Sequence, residues 1–154
     1  MKISMKTDYA LRVLFDLIKS SKDGPVSARE LAARNAVPLK FLERIMSELK
    51  QQGWIVSSAG KHGGYRLEVD PAKITIGEVV RHFDGMLAPI NCVSVTCYER
   101  CSQEPVCTFR RLFLEIRNET ARRMDSATMA SLASAPQTRF AEVFDPQFIY
   151  GDGI

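Results

Sequence analysis

The sequence offers only two histidines and four cysteines among its 154 residues. His62 sits in a glycine-rich stretch and His82 in an amphipathic one, and neither has a neighbour with which to form a nucleophile–base pair. His82 reads as a helix-end histidine and not as a metal ligand. Gly60, Gly63 and Gly64 lie between two strand-like runs and not ahead of a helix, so no phosphate-cradling loop is present. These absences argue against an enzyme. No apolar run approaches the roughly 20 residues that a membrane helix needs. Asp8, Arg12 and Asp16 interrupt the segment behind the first lysines, so a secretory signal is not expected either. The expectation is a cytoplasmic protein with no membrane contact and no small-molecule substrate, its thiols reduced.

What is present is ordinary in bulk: 45% hydrophobic and 25% charged residues, enough to bury a core without disulfides. The charge is unevenly placed. Up to Asp84 there are 14 Lys and Arg against 10 Asp and Glu; beyond it there are 7 against 8. A basic first half is compatible with a phosphate-binding surface and equally with a solvated face.

Ala10, Val13, Leu14, Leu17 and Ile18 recur at helical spacing and predict a helix over Thr7–Lys22, stopped by Gly24 and Pro25. Ser27 and Glu30 have the spacing of a capping box and open a short helix to about Asn35. Pro38 suits the first turn of a third helix, whose buried stripe is Leu39, Leu42, Ile45, Met46 and Leu49. Lys40, Glu43, Arg44, Glu48 and Lys50 fall largely on its other faces. Two strand-like runs follow, residues 54–58 and 65–69, joined by the loop 59–64. Helix, turn, helix and hairpin make a winged helix, whose third helix would enter the major groove. Thr75 and Glu78 form a second capping-box spacing, opening a helix to about Gly85.

Residues 86–106 have no period. From Thr108 to about Met124 a long helix is predicted, with Phe109, Leu112, Phe113, Ile116 and Thr120 along one face; a second copy of the chain is the natural cover for it. Asp125 is expected to cap a last short helix to Ala133. The fold class is therefore mainly α. It divides into a winged helix-turn-helix DNA-binding domain (1–84), a cysteine-rich loop (85–107), a dimerisation helix region (108–133) and a surface tail (134–154).

Cys92, Cys97, Cys101 and Cys107 fall within one 16-residue segment. A disulfide switch, a zinc site and an iron–sulfur cluster all remain open. Paired two-residue spacings, the common zinc mark, are absent, and the wider spacing favours the cluster.

Several stretches together resemble the IscR, NsrR and RirA family of iron–sulfur transcription regulators. They are Thr7-Asp8-Tyr9-Ala10-Leu11-Arg12, Leu39-Lys40-Phe41-Leu42-Glu43, the wing Gly60-Lys61-His62-Gly63-Gly64-Tyr65-Arg66-Leu67, Ile76-Gly77-Glu78-Val79, and the cysteine loop running into a long helix. The resemblance implies a homodimer crossed over through the long helix, binding a double-stranded operator of two half-sites. It implies that the middle of the third helix reads bases, with Glu43 discriminating them; Ser27, Lys40, Arg44 and Lys50 are further expected DNA contacts. Members often carry an arginine before the wing glycine; Ala59 stands there, which shifts the wing contacts to Lys61 and His62. The family's three cysteines match Cys92, Cys101 and Cys107, leaving Cys97 as a spare thiol or an additional ligand. Two-iron members use a histidine three positions after the last cysteine, where this chain has Arg110. Other members take an oxygen ligand from the partner's first helix, at the position of Asp8. The implied cofactor is thus a four-iron–four-sulfur cluster held by Cys92, Cys101, Cys107 and Asp8, with a two-iron cluster as the alternative. A metal-free thiol switch is the rival reading.

Overall fold

The computed structural model describes residues 2–60, 63–85 and 87–143. The chain opens with three helices: α1 (Met5–Lys19), α2 (Ala28–Asn35) and α3 (Leu39–Gln51). Each takes its start from local chemistry. Ser4 Oγ accepts the Thr7 N–H at 3.2 Å and Ser27 Oγ accepts that of Glu30 at 3.2 Å, each filling an orphan donor of a first turn. The second half of the expected capping box at α2 does not form. Glu30 turns along the helix and pairs with Arg34 at 2.5 Å. Between α2 and α3 the chain turns within three residues, and Ala36 takes the left-handed conformation (φ 53°) usually left to glycine.

β1 (Ile55–Ser58) and β2 (Gly64–Leu67) pair antiparallel, with Ile55 opposite Leu67 and Ser58 opposite Gly64. Val26 adds a bridge to Tyr65, exchanging N–H···O bonds of 2.9 and 2.8 Å. That close approach explains Gly64: a Cβ there would lie 2.5 Å from the Val26 carbonyl oxygen. A 3-10 turn (Pro71–Lys73) leads to α4 (Ile76–Asp84), whose capping box is complete between Thr75 and Glu78.

The core lies under these elements. Val13, Leu14, Leu31, Leu42, Ile45, Leu49, Ile55 and Val79 are all essentially inaccessible. Beyond α4, short 3-10 turns at Asn91–Val93 and Glu104–Val106 punctuate the cysteine loop, which delivers the chain to α5 (Arg110–Ser126). Seventeen residues of helix extend about 25 Å.

The chain then returns to the first core. α6 (Met129–Ala133) inserts Met129 at 0% exposure, and the Met129 N–H donates to the Ile74 carbonyl at 2.8 Å. Asp125 does not cap α6. It lies inside α5 and pairs with Arg81 of α4 at 2.5 Å, while Thr128 caps α6. Gly77 permits that approach, because a Cβ there would meet Asp125 Oδ1 at 2.0 Å. One further short helix, α7 (Phe140–Val143), follows in the stretch read as an aperiodic tail.

Candidate nucleic-acid interface and cysteine loop

α3 is sharply two-faced. Leu42, Ile45, Met46 and Leu49 are buried, whereas Lys40, Glu43, Arg44 and Lys50 are exposed. Helical spacing also places Ser47 on that exposed stripe, a position that a search for charged residues passes over. Glu48 leaves the stripe: it is half-buried and pairs with Lys6 of α1 at 2.8 Å. Lys50 Nζ donates to Ser57 Oγ at 2.8 Å, tying the end of α3 to the first wing strand. Lys40 and Arg44 border a groove of about 450 Å³ shared with Tyr9 and Phe41, whose rings meet edge to face at 5.8 Å. Ser27 is exposed, and its hydroxyl is engaged as the cap of α2. Lys61 and His62 lie outside the described residues.

His82 is held between aromatic rings, 5.7 Å from Trp54 and 4.6 Å from Phe83. Its Nε2 has no hydrogen-bond partner and lies 3.9 Å from the Glu48 carboxylate, in packed surroundings far from any cysteine in the sequence.

All four cysteines are free thiols; Cys92 and Cys107 are half-buried, Cys97 and Cys101 exposed. Cys92, Cys101 and Cys107 line one depression of about 490 Å³, together with Glu104 and Arg110. Cys97 is set apart from it, its Sγ directed at Gly85. Among the described residues no three metal-capable side chains yet stand close enough to hold an ion. Asp8 is not brought to the thiols within the protomer. It sits in the first turn of α1, where acidic charge is favoured, and pairs with Arg12 at 2.5 Å.

A polar network orders the loop around those thiols. Arg110, at the position where the family's histidine ligand would stand, donates from Nη2 (2.9 Å) and Nε (3.3 Å) to the Cys92 carbonyl. It also pairs with Glu104 at 3.3 Å. The Glu104 carboxylate accepts the Tyr98 hydroxyl at 3.0 Å and the Cys101 N–H at 3.4 Å. The bond to Glu104 raises the Tyr98 pKa, since losing the phenolic proton would leave two anions facing each other.

α5 presents the other notable surface. Phe109, Leu112 and Ile116 are 58, 56 and 40% exposed, and none of the helix's residues is buried. Leu114, Arg117, Ala121 and Asp125 instead line the grooves facing the cysteine loop and α4. No helix among the described residues is long and apolar enough to cross a membrane.

Comparison with known proteins agrees with this architecture. The family model Rrf2, described as an iron-dependent transcriptional regulator, matches residues 3–135. The chain is 33% identical over 134 residues to the regulator CymR of Bacillus subtilis, covering 87% of this chain and 91% of that one. It is 33% identical over 132 residues to NsrR of Geobacillus kaustophilus (86 and 89%) and 27% identical over 134 residues to IscR of Yersinia enterocolitica (87 and 80%). Among solved structures, B. subtilis CymR, described as the global cysteine regulator, superposes with a TM-score of 0.75 at 31% identity over 89% of this chain and 99% of that one. An oxidized form of Staphylococcus aureus CymR gives 0.72 at 28% identity, over 90 and 100%. These relatives are transcription regulators and not enzymes. The overall fold is therefore shared with these structures, and this chain belongs to the Rrf2 family of transcriptional regulators.

Proposed function

We propose that the chain acts as a cytoplasmic homodimer whose operator affinity is set by an iron–sulfur cluster bound at Cys92, Cys101 and Cys107. The observation that carries this reading is the selection of three thiols out of four: those three border one depression, and Cys97 is excluded from it. Three thiolates on a pliable loop are a donor set that suits iron–sulfur chemistry. Asp8 of the partner subunit is the proposed fourth donor to a four-iron–four-sulfur cluster. Arg110 excludes itself as that ligand, because a guanidinium has no lone pair to give. When bound, the cluster supplies redox- and ligand-sensitive bonds between the loop and its surroundings.

The chain's own residues then carry the signal. Ordering of the loop fixes the start of α5, whose far end is joined to α4 through Asp125 and Arg81. α4 packs on α1, and α1 on α3, so the loop has a short mechanical path to the exposed stripe Lys40, Glu43, Arg44 and Lys50. Those residues, with Ser27, Lys61 and His62, are the proposed operator contacts. Two half-sites lie about 34 Å apart, so a small rotation between protomers alters both contacts together. Coupling of this kind is typically about 1–3 kcal/mol.

A metal-free reading has its own support. Cys97 and Cys101 are exposed, and the S. aureus CymR relative is known in an oxidized form. In that reading a disulfide among the loop thiols takes the cluster's place. Protein purified without oxygen separates the two. Iron and sulfide bound per chain, a visible absorption band and an operator gel shift that changes on chelation are expected. Colourless, iron-free protein whose gel shift responds only to oxidant and reductant would overturn the cluster.

A further inference from the structure

The start of α5 breaks the rules that usually open a helix. Its first two residues are Arg110 and Arg111, its first turn has no acidic residue, and Phe109 provides no side-chain cap. Cations at the positive end of a helix are disfavoured. A local rule broken in this way marks a side chain retained for another task.

The task is visible in the contacts of Arg110. Its planar guanidinium donates two bonds to the Cys92 carbonyl and pairs with Glu104. Glu104, its side chain only 15% exposed, in turn accepts the Cys101 N–H and the Tyr98 hydroxyl. Glu104 and Arg110 stand three residues before and three residues after Cys107. The pair therefore touches the backbone of two of the clustered thiols and brackets the third. Cys97 receives nothing from it; its N–H donates to Ser94 Oγ.

We infer that Glu104 and Arg110 are a latch that holds Cys92, Cys101 and Cys107 around one depression before any metal or oxidant arrives. The latch deepens the regulatory reading above and rests on it for its purpose, although its geometry is independent of which chemistry the thiols perform. The carboxylate and the guanidinium are both needed. A lysine at 110 would keep the charge but lacks the fork that reaches the Cys92 carbonyl and Glu104 together.

The test uses the full-length, metal-free chain and per-cysteine alkylation by N-ethylmaleimide, read by mass spectrometry. Arg110→Met is expected to raise the Cys92 rate by at least about threefold through easier local opening, with Cys97 unchanged. Arg110→Lys is expected to fail to restore the wild-type rate, and Glu104→Gln to accelerate both Cys92 and Cys101. Thermal midpoints are measured alongside, so that Arg110→Lys and Glu104→Gln still decide the matter should Arg110→Met not fold. In iron-loaded protein, the survival time of bound iron against a chelator is expected to fall in the same variants. An unchanged Cys92 rate in Arg110→Met and Arg110→Lys, or an equal rise at all four cysteines, would overturn the latch. A wild type that binds no iron but shows the expected alkylation pattern would sink the cluster and leave the latch standing.

Discussion

From α1 to α4 every helix buries an apolar stripe in one core, whereas α5 is the longest helix and buries none of its residues. The first region closes on itself and even recruits Met129 from beyond α5 to finish its core. The second is ordered by hydrogen bonds and ion pairs: Arg110 with Glu104 at one end of α5, Asp125 with Arg81 at the other. A chain that spends its apolar residues so differently fits two purposes, folding in one region and, in the homodimer proposed above, assembly in the other. An exposed row of Phe109, Leu112 and Ile116 has no purpose in an isolated protomer.

The largest expected effect tests that division directly. Leu14→Ala removes a fully buried side chain and should cost about 2–5 kcal/mol in chemical denaturation, at any protein concentration. Leu112→Ala should behave differently. Its cost should grow as the protein is concentrated and fade on dilution if, as proposed, α5 meets a second subunit. Concentration-independent destabilisation by Leu112→Ala would show that α5 folds back on its own protomer. A harsher probe of the same face is Ile116→Glu. Sedimentation should show monomers, and operator affinity should fall about a hundredfold as the second half-site loses its tether.

A smaller effect concerns the exposed stripe of α3, which belongs to the packed region but faces outward. Glu43→Gln should leave overall affinity nearly intact and relax discrimination at one base pair, by about 1–3 kcal/mol. Lys40→Ala should weaken binding to every sequence alike and flatten its salt dependence. Reversed outcomes in a binding series over single-base operator variants would exchange the roles of the two positions.

The packed region was the legible one. Helical stripes, the Ser27 and Thr75 caps, Pro38 and the glycine-rich wing place α1 to α4 and the hairpin within a few residues of where they stand. The periodic signal of α5 was equally plain. What the sequence conceals are contacts between segments that have no period. The destination of Glu30 depended on Arg34 outcompeting a backbone N–H. Asp125 looked like a cap because a carboxylate ahead of a short helix usually is one; Gly77 opened a space for it on α4 instead. Within the cysteine loop, the family resemblance points to Cys92, Cys101 and Cys107, but Glu104 carries no signal of its own. Only Arg110, misplaced at a helix start, hinted that the loop had a second layer.

The smallest expected effect lies where the packed region itself relies on charge. The Asp84 carboxylate, at the end of α4, accepts the Ser4 N–H at 3.0 Å and the Ser4 hydroxyl at 2.5 Å, clasping the start of α1. Partial burial pushes its pKa up, but the bonds from Ser4 and Thr7 and the nearby Lys6 ammonium outweigh this and leave it below its ordinary value. A carboxylate whose pKa is lower folded than unfolded adds stability above the unfolded pKa, and that stability is lost as pH falls through the folded one. Asp84→Asn should therefore be less stable than wild type at neutral pH, by no more than about 1 kcal/mol for so open a site. The difference should close as the pH drops below the ordinary carboxylate range. Denaturation curves of both proteins across that range check it, and a gap that persisted in acid would assign the clasp to shape and not to charge. Either way α1 has Val13, Leu14 and Leu17 to hold it in place. Around the clustered thiols Cys92, Cys101 and Cys107, none of which is buried, the Glu104–Arg110 pair has more to decide than the Asp84 clasp has at α1.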